Sequence, residues 1–541
     1  MENNFSENIM RLRYSWDKEN GEKETWDEIN ERAFSNIFSI VDFPNKKDKL
    51  NKILEYAKKR KFILGGRFLA QSGKEYHQTN NCFLLRAEDT REGWGELLNK
   101  ASVMLMSGGG IGIDYSSLRP KGAALKRSGG TSSGAVPLMK MINEVGRGVM
   151  AGGNRRSAIW AGLIWDHGDI FDFIECKNWI QEVRDLKEKD FDFPAPMDMT
   201  NVSVILDKKF FDAYENENDS KHELAKKVYW KTIERMLKTG EPGFSINYEN
   251  PKESLRNACT EINSEDDCDV CCLGSINLGQ IESLEELIEI TELAQLTLLI
   301  GTEYSDVPYP KVKEIRDKNR RTGLGLMGIH EWLIKRNYSY DENEELTEWL
   351  SAWKDISDSS AKEWANVLGF NEPIKKRAIA PNGSTSIAGG KTTGGLEPVM
   401  SIAYQRRYLT PSGWKKQFVI DFVAERLYEE GYDVSKMEDA YTLSLDPERR
   451  IAFQAYLQNF VDNGISSTIN LPAFGSIGNN DIEGFGKILY KYLPKLRGIT
   501  VYPDKARGGQ PIIPVDFKYA LQRKNLVFEG NENCENGICG L

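Results

Sequence analysis

A short stretch, NACTEI at residues 257–262, combines three side chains that suit chemistry better than packing. Asn257 offers an amide, Cys259 a thiol and Glu261 a carboxyl group. If the stretch is extended, alternate side chains project to the same face, and these three then share one wall. The spacing therefore predicts a site where a reactive sulfur works beside an acid and an amide.

The cysteines of the chain are unevenly distributed. They are Cys82, Cys176, Cys259, Cys268, Cys271, Cys272, Cys534 and Cys539. In a large chain whose start lacks a secretion signal, such cysteines are more often catalytic, metal-bound or redox-active than structural disulfides. The last pair lies on a polar segment, residues 528–541, which is typical of a mobile tail. A dithiol there could reduce a buried disulfide by thiol–disulfide exchange.

The residues alone leave three interpretations of these cysteines open. A cysteine protease needs a histidine base, and none of the four histidines has an obvious catalytic context. A zinc site could use the Cys-x-x-Cys of CDVCC (268–272), although no second such pair follows at finger-like spacing. Cys176, Cys268 and Cys272 could also be inert buried thiols.

Three glycine-rich stretches interrupt the chain: SGGGIGIDYSSLRPKG (107–122), AGGNRRSA (151–158) and APNGSTSIAGGKTTGGLEP (380–398). The first two could approach a ligand closely and offer arginines to phosphate, or they could be flexible connectors. The third places a Pro-Asn-Gly-Ser-Thr-Ser run after an apolar strand. If that run opens a helix, several N–H groups and hydroxyls point at one anion. It matches neither a Walker A loop nor a dinucleotide fingerprint.

The elements that must position these residues alternate along the chain. Apolar runs at 82–85, 157–164, 202–206 and 498–502 predict buried strands, and 283–304 and 342–369 predict helices. This alternation favours a parallel α/β sheet or barrel. We predict a helical region over 1–75, one large domain over 76–525 and a tail over 526–541.

The composition is that of a soluble globular protein, with 40% hydrophobic and 28% charged residues. A net charge of −10 argues against sequence-independent nucleic-acid binding. The chain has no apolar run of about 18 residues, and its first residues lack the apolar centre of a signal peptide. We expect a cytoplasmic protein that binds neither nucleic acid nor membrane.

Several segments, taken in order, resemble the catalytic subunit of ribonucleotide reductase. NACTEI resembles its Asn-x-Cys-x-Glu signature, and CENGIC near the end resembles its C-terminal redox pair. The other matching segments are NNCFLL, GGGIGIDYSSLRPKG, GGNRRSA, GEPGFSINYEN, CCLGSINLG, NRRTGLGLMG, APNGSTSIAGG, ISSTINLP and VYPDKARGGQP. The resemblance covers about residues 60–541 and implies reduction of ribonucleoside di- or triphosphates to 2′-deoxyribonucleotides, the precursors of DNA. The implied fold is a ten-stranded α/β barrel of two antiparallel halves, each with five parallel strands, and a central finger loop that carries the active cysteine.

The resemblance also implies a role for each residue of the reaction centre. Cys259 would become a thiyl radical and abstract the 3′ hydrogen of the ribose. Glu261 would accept the proton of the 3′ hydroxyl, and Asn257 would orient the sugar. Cys82 and Cys271 would donate two electrons and end as a disulfide.

Other residues would bind the substrate or an effector, or would reduce the disulfide after each turnover. Cys534 and Cys539 would reduce the disulfide again and would in turn be reduced by thioredoxin or glutaredoxin. The substrate would meet Asn81, Gly110, Asn382, Gly383, Ser384, Thr385 and Ser386. A deoxynucleotide or ATP effector would meet Asp89, Thr90, Arg119, Arg155 and Arg156. The resemblance assigns no metal ligand.

The resemblance bears on the source of the radical as well. The type that is partnered with a ferritin-like metal subunit passes the radical through two adjacent tyrosines, but here Tyr502 is followed by Pro503. GGNRRSA resembles the adenosylcobalamin-dependent (class II) type, which we therefore expect, with the ferritin-like subunit and its metal cofactor as the alternative. A nucleotide-binding regulator without activity is a further alternative, although the expected reactive residues are present.

Departures from the family pattern limit what the resemblance implies. The NNC motif arrives by residue 80, too early for a preceding ATP-binding cone, so overall control by ATP and dATP is not expected. The short chain favours a phage or other minimal-genome source. The oligomeric state stays open between monomer and homodimer.

Overall fold

The computed structural model describes residues 5–126, 129–149, 157–190, 193–410, 413–434, 437–504, 506, 512–524 and 526–529. Over these residues the helices are α1 (Phe5–Arg13), α2 (Trp26–Ser39), α3 (Lys46–Lys58), α4 (Gly66–Gln71), α5 (Arg91–Met106), α6 (Ala135–Gly148), α7 (Ile170–Ile174), α8 (Gln181–Lys189), α9 (Lys208–Glu215), α10 (His222–Thr239), α11 (Leu284–Tyr304), α12 (Pro310–Asn319), α13 (Ile329–Lys335), α14 (Glu344–Leu368), α15 (Gly383–Thr385), α16 (Phe422–Glu429), α17 (Ala440–Leu443), α18 (Pro447–Gln458), α19 (Ile482–Tyr492) and α20 (Phe517–Gln522). None of the helices in this described part is both long and apolar enough to cross a bilayer.

The strands over the same residues are β1 (Phe62–Leu64), β2 (Cys82–Arg86), β3 (Gly110–Asp114), β4 (Ile159–Ile164), β5 (Thr200–Asp207), β6 (Gly243–Asn247), β7 (Leu255–Arg256), β8 (Asn263–Ser264), β9 (Asp269–Val270), β10 (Cys272–Asn277), β11 (Thr322–Met327), β12 (Ala403–Thr410), β13 (Gly413–Ile420), β14 (Thr468–Leu471), β15 (Gly498–Pro503), β16 (Ile512–Pro514) and β17 (Val527–Glu529). The four runs predicted as buried strands are confirmed as β2, β4, β5 and β15. The two predicted helices are confirmed as α11 and α14.

Local sequence signals explain where the main helices begin and end. A capping box starts α2, because the Thr25 side chain accepts a hydrogen bond from the Glu28 N–H and the Glu28 carboxylate accepts one from the Thr25 N–H. The side chains of Ser283 and Asn343 cap α11 and α14 in a similar way. α14 ends at Leu368 and is capped by Gly369, whose left-handed conformation is typical of a helix C-terminus.

The largest sheet has eight strands in the order β14-β15-β6-β5-β4-β3-β2-β9. Strands β2 to β6 are parallel and follow chain order. β14 and β15 are parallel to each other, whereas the β6–β15 and β2–β9 pairs are antiparallel. The protein is therefore a mixed α/β protein with a large, mostly parallel sheet, as the alternation of elements predicts.

A second sheet has the order β1-β10-β11 and is joined to the first through a single residue. Only Cys271 separates β9 of the large sheet from β10 of the second sheet. Beyond β11, single parallel bridges pair Leu324 with Arg377 and Ile379 with Ile465. β16, β12, β13 and β17 form, in this order, an antiparallel sheet of their own.

The N-terminal helices share a hydrophobic core with the second sheet. Phe34 of α2 packs edge-on against Phe62 of β1 at a ring-centroid distance of 6.2 Å, and both side chains are fully buried. The same core includes Leu298 of α11 and Trp353 of α14. A second core covers the helix-packed face of β2 to β6. The boundary near residue 75 stays a prediction.

Strands β7 and β8 form a short antiparallel hairpin that lies against the large sheet. A side chain at Gly112 of β3 would overlap the Arg256 carbonyl oxygen, so the hairpin backbone rests directly on that strand. A small apolar cluster surrounds the hairpin and comprises Leu84, Leu255, Ile262, Cys271, Leu273, Ala378 and Ala380. The fold thus buries the segment that carries the cysteine of NACTEI.

Candidate active site

Residues 257–262, which we call the cysteine loop, connect β7 to β8. The expectation of an extended stretch is wrong, because the chain reverses within it. The Thr260 N–H donates to the Asn257 carbonyl at 3.1 Å, and Thr260 has a φ of 68°, which is rare for a β-branched residue. Asn257 Oδ1 also accepts a hydrogen bond from the Ile262 N–H at 3.0 Å. The turn, rather than strand alternation, brings the three polar side chains together.

A fully buried cation anchors the arm of the hairpin. The Arg256 guanidinium donates to the carbonyl oxygens of Glu253 at 2.5 Å and Ile246 at 3.1 Å, and to the side chain of Asn247. Burial lowers its pKa to about 9, which reflects the price of enclosing a charge among neutral oxygens. The other end of the loop is held by the Gly464 N–H, which donates to the Glu261 carbonyl at 2.7 Å.

Cys82 and Cys259 are in contact. Cys82 is the first residue of β2, and its thiol lies close enough to that of Cys259 to raise the pKa of Cys259. Gly110 lies beside Cys82 in the parallel register of β2 and β3. A Cβ atom at position 110 would lie 2.9 Å from Ala258 Cβ and 3.3 Å from Cys82 Sγ. Glycine at this position therefore leaves room for the tip of the cysteine loop.

Cys271 faces Cys82 across the antiparallel pair of β2 and β9. The register pairs Phe83 with Val270 and Leu84 with Asp269, and one further step pairs Cys82 with Cys271. Opposed residues in such a pair have Cα atoms about 4.5–5.5 Å apart. Disulfides span Cα distances of about 4.4–6.8 Å, so these two thiols can join without a large backbone movement. Both are free thiols in this structure.

The three thiols and Glu261 form one electrostatic group. The hydrogen bond with Cys82, burial and the nearby Glu261 raise the pKa of Cys259 well above its usual value. Burial, Cys82 and Glu261 do the same to the pKa of Cys271. Burial raises the pKa of Glu261 to about 7, against an opposing contribution from Asn257. Near neutral pH Cys259 and Cys271 are therefore protonated, while Glu261 is poised to exchange a proton.

The loop keeps hydrogen-bonding capacity that the protein does not use. Asn257 Nδ2 and Glu261 Oε2 are buried and make no well-formed hydrogen bond, although the amide lies close enough to influence the carboxyl group. Buried polar atoms normally have partners, so these two atoms are available to hydrogen-bond a bound molecule. Cys82 is 5% exposed and Cys271 is fully buried, whereas Cys259 is partly exposed. An approaching molecule therefore reaches Cys259 first.

The predicted phosphate-binding run does open a helical segment. α15 begins after Asn382 and continues as a π-helical turn over Ser386–Gly390, and we call residues 382–390 the phosphate loop. The first N–H groups of a helix have no intrahelical acceptor, so those of the first turn are available to an anion. The Ser386 hydroxyl donates to the Gly383 carbonyl at 3.2 Å, and the Thr385 hydroxyl to the Asn382 carbonyl at 3.2 Å.

Two contacts tie the phosphate loop to distant parts of the chain. Asn382 Nδ2 donates at 3.0 Å to the hydroxyl of Ser275, which lies on β10, four residues after Cys271. Ser384 and the buried Tyr14 share a hydrogen bond of 2.6 Å between their hydroxyl groups. Neither Ser275 nor Tyr14 was predicted as a site residue. No local signal marks Tyr14, because its partner lies 370 positions away.

Of the remaining predicted residues, the structure describes some and leaves others outside the described residues. Asp89 and Arg119 form an ion pair of 2.7 Å, and the Thr90 side chain caps α5 by accepting from the Gly93 N–H. Asn81 is half-buried, and its carbonyl accepts a hydrogen bond from the Gly110 N–H at 2.8 Å. The predicted residues Arg155, Arg156, Cys534 and Cys539 lie outside the described residues. Among the residues that are described, no three His, Cys, Asp or Glu side chains could jointly hold a metal ion.

Comparison with known families places this site in context. The family model described as "Ribonucleotide reductase, barrel domain" matches residues 80–226 and 186–352, which together make up half of the chain. The matched region contains β2 to β11 and hence the cysteine loop with all three clustered thiols. The chain belongs to the ribonucleotide reductase family. The family resemblance noted from the segments is thereby confirmed.

Individual members of the family match over most of this reductase chain. A vitamin B12-dependent ribonucleoside-diphosphate reductase of Mycobacterium tuberculosis is 26% identical over 88% of this chain and 75% of the relative. A protein of the same name from Thermoplasma acidophilum is 25% identical over 93% of this chain and 71% of the relative. A ribonucleoside-diphosphate reductase large subunit of Danio rerio is 28% identical, but over only 51% of this chain and 40% of the relative.

Proposed function

We propose that the protein reduces ribonucleotides to 2′-deoxyribonucleotides with adenosylcobalamin as its cofactor. The observation that carries this proposal is the grouping of Cys82 and Cys271 around one partly exposed thiol, Cys259, with the Glu261 carboxyl group beside them. Two relatives named for vitamin B12 dependence match across most of the chain, whereas a large subunit of the other type matches about half. The ferritin-partnered alternative is therefore less supported.

We propose the following roles for the reacting residues. Cys259 loses a hydrogen atom and then takes the 3′ hydrogen from the ribose, while Glu261 accepts the 3′-hydroxyl proton. The 2′ hydroxyl leaves as water, and Cys82 and Cys271 supply two electrons and two protons as they form a disulfide. Cys259 returns the 3′ hydrogen, so the ribonucleotide and the dithiol become deoxyribonucleotide, disulfide and water. The unpaired Asn257 Nδ2 supports a role in orienting the sugar.

The residues present fit adenosylcobalamin. Cys259 is partly exposed, whereas Cys82 and Cys271 are buried, so of the three clustered thiols Cys259 is the one that a radical source outside the loop would approach. Tyr502 is followed by Pro503, whose saturated ring cannot serve as the second member of a tyrosine relay. When bound, the cofactor supplies the radical that removes a hydrogen atom from a thiol. The protonated state of Cys259 near neutral pH makes that hydrogen atom available.

We propose further that the parallel strands of the large sheet and of the second sheet belong to one ten-stranded barrel around the cysteine loop. Five parallel strands, β2 to β6, make one half. β10, β11, the segment that contains residues 377–379, the segment of residues 465–471, and β15 make the other half. The bridges Leu324–Arg377 and Ile379–Ile465 support this arrangement, because they continue the second sheet towards β14. The antiparallel joints β6–β15 and β2–β9 support the boundary between the halves.

The binding roles stay proposals as well. The phosphate loop receives the substrate phosphates on its free N–H groups, and Asn81 and Gly110 border the sugar. A deoxynucleotide effector binds near Asp89, Thr90 and Arg119 once the ion pair between Asp89 and Arg119 opens. The tail cysteines, Cys534 and Cys539, pass electrons from thioredoxin or glutaredoxin to the buried pair. Both diphosphates and triphosphates stay open as substrates.

An activity assay with purified protein tests the proposed function. The protein is incubated anaerobically with adenosylcobalamin, dithiothreitol and each ribonucleoside di- or triphosphate, and deoxynucleotides are separated by chromatography. We expect product from the native chain and from Cys176→Ser, whose sulfur lies away from the site, but none from Cys259→Ser. Absence of product with every substrate and effector would overturn the proposal. Activity only after a metal-loaded partner subunit is added would support the alternative type.

A further inference from the structure

A cavity of about 210 Å³ lies between the N-terminal helices and the far end of the phosphate loop. Its walls include Ser6 and Arg11 of α1, Trp26 of α2, and Arg60, Ala388 and Lys391. Arg60 lies between α3 and β1, and Lys391 follows the π-helical turn of the phosphate loop. The cavity is therefore separate from the first turn of the loop, where the substrate phosphates are proposed to bind.

Most charged groups around this cavity are neutralised by a neighbour. The lining residues that have an opposite charge beside them are Glu24 with Arg32 at 2.8 Å, Glu7 with Arg11 at 2.9 Å, and Lys23 with Asp17 at 2.8 Å. Arg60 and Lys391 differ, since neither forms an ion pair with any described residue. Two cations without an ion-pair partner thus share one small space, and the carboxylates of Asp27 and Glu7 compensate them only from beyond ion-pair distance.

The contacts of Arg60 leave part of its guanidinium unused. Nη1 donates to the carbonyl oxygens of Ala388 at 2.8 Å and Gly389 at 2.5 Å. Nε and Nη2 have no acceptor among the described residues, and the guanidinium lies over the Trp26 ring at 4.8 Å from its centroid. A guanidinium with two free donors and a fixed plane suits the oxygens of a phosphate group.

The backbone holds both cations in uncommon conformations. Arg60 has a φ of 61° and Lys391 a φ of 48°, in the left-handed region that non-glycine residues seldom adopt. Burial lowers the pKa of each side chain, and the Arg60 charge lowers the pKa of Lys391 further, whereas the Glu7 charge opposes the shift of both. An anion between the two cations would relieve this repulsion.

We propose that this cavity binds a phosphate group, inorganic or at the end of a nucleotide, through Arg60 and Lys391, and that its occupancy steadies the phosphate loop. The second half of the proposal rests on the proposed function, because it is measured as affinity for a ribonucleotide. The path is short. Ser6 of α1 donates to the Ile387 carbonyl at 2.7 Å, and Tyr14, just after α1, hydrogen-bonds Ser384 at 2.6 Å. A phosphate that bridges Arg60 and Lys391 would fix the end of the phosphate loop beside α1 and so hold these two contacts in place.

Binding is tested first, without turnover. Inorganic phosphate, pyrophosphate and AMP are titrated calorimetrically into the native chain and into R60Q/K391M. The control K47Q/K209M removes the same charge from two exposed lysines elsewhere. At the cavity, we expect the affinity for the anion to be at least about tenfold weaker in R60Q/K391M than in the native chain and unchanged in K47Q/K209M. Anion binding at the substrate end of the phosphate loop should persist in all three proteins. Tighter AMP than phosphate binding would identify a nucleotide as the source; equal affinities would identify inorganic phosphate.

The position of the anion is tested by a second measurement that does not depend on the double variant folding well. Crystals of the native chain are soaked in tungstate, an electron-dense analogue of phosphate. We expect an anomalous peak between Arg60 and Lys391. The same affinity in R60Q/K391M as in the control, together with no tungstate peak at this cavity, would overturn the site.

Coupling to the substrate is tested by equilibrium binding of a ribonucleoside diphosphate at rising phosphate concentrations. Competition at the substrate end of the loop is corrected for by the effect that phosphate has on R60Q/K391M, which keeps that end intact. Tighter substrate binding in the native chain, but not in R60Q/K391M, supports the coupling; equal affinity in both overturns it. Because binding is measured instead of catalysis, an inactive protein would still report on this site. Failure of the proposed function and failure of this inference are thereby distinguished.

Discussion

The cysteine loop and the phosphate loop treat their polar groups in opposite ways. In the cysteine loop, Asn257 Nδ2 and Glu261 Oε2 are buried without a well-formed hydrogen bond, and burial shifts the pKa of Glu261. In the phosphate loop, the side chains of Asn382, Ser384, Thr385 and Ser386 all have partners within the protein. One loop leaves reactive side chains unsatisfied, and the other leaves only its backbone N–H groups available.

This difference separates the two tasks of the enzyme. A group that exchanges a proton during the reaction must not be fixed by the protein in one protonation state, so its usual partners are absent. A group that only holds a phosphate gains from rigidity, because an ordered loop loses less conformational entropy when the ligand binds. Substitutions in the cysteine loop should therefore affect kcat, and substitutions behind the phosphate loop should affect KM.

The largest effect is expected for the buried thiol pair. Cys271→Ser removes one of the two electron donors, so deoxynucleotide formation should fall to background. Cys272→Ser is a matched control, because the Cys272 sulfur points away and donates to the Leu298 carbonyl at 3.2 Å. Peptide mapping of the native chain after turnover without reductant should also show a Cys82–Cys271 disulfide. Normal activity of Cys271→Ser would remove the pair from the mechanism.

A smaller loss is expected for the carboxyl group of the loop. Glu261→Gln cannot accept a proton, so kcat should fall about 10²–10⁴-fold with KM little changed. The native kcat should rise with pH through about 7, as Glu261 becomes ionised, and the variant should lack this rise. Steady-state kinetics across pH would check both points, with the exposed Glu265→Gln as control. A large change in KM alone would assign Glu261 to binding instead.

Glu261 should also make the free energy of unfolding depend on pH. The pKa of Glu261 is about 7 in the folded state and ordinarily 4.5, so the folded state retains the proton longer than the unfolded state. The stabilisation from the neutral form is complete below the unfolded pKa and is lost as pH rises through the folded pKa. Relative to the native chain, Glu261→Gln should therefore be more stable at about pH 8.5 than at about pH 5, by up to roughly 3 kcal/mol. Urea unfolding at the two pH values measures this, and a difference independent of pH would contradict it.

The smallest effect is expected for Tyr14, whose hydroxyl supports the phosphate loop through Ser384. Tyr14→Phe removes the hydrogen bond to Ser384, which is worth about 0.5–1.5 kcal/mol, so KM should rise roughly two- to tenfold with kcat unchanged. Tyr428→Phe, at an exposed position, serves as the control. Steady-state kinetics separates the two constants. A fall in kcat equal to the rise in KM would mean that the two loops are not separate in function.

The sequence was informative where a single side-chain pattern decides the outcome. Apolar runs predict β2, β4, β5 and β15, and the Pro-Asn-Gly-Ser run predicts the start of a helical segment, because both depend on neighbouring residues. The turn at Thr260 was missed, since a positive φ at threonine has no sequence signal and requires tertiary support. The alignment of Cys82 with Cys271 depends on the register of two strands far apart in the chain, so the residues alone left the role of these thiols open.

The glycine at position 112 makes the sheet and the cysteine loop mechanically inseparable. An alanine there would push against the Arg256 carbonyl oxygen and lift the hairpin, moving the Cys259 sulfur away from Cys82. Such a chain would keep every reactive group and still lose the arrangement in which they work. Attempts to retune this scaffold for other nucleotides should accordingly vary its outer loops and leave the inner wall of β3 untouched.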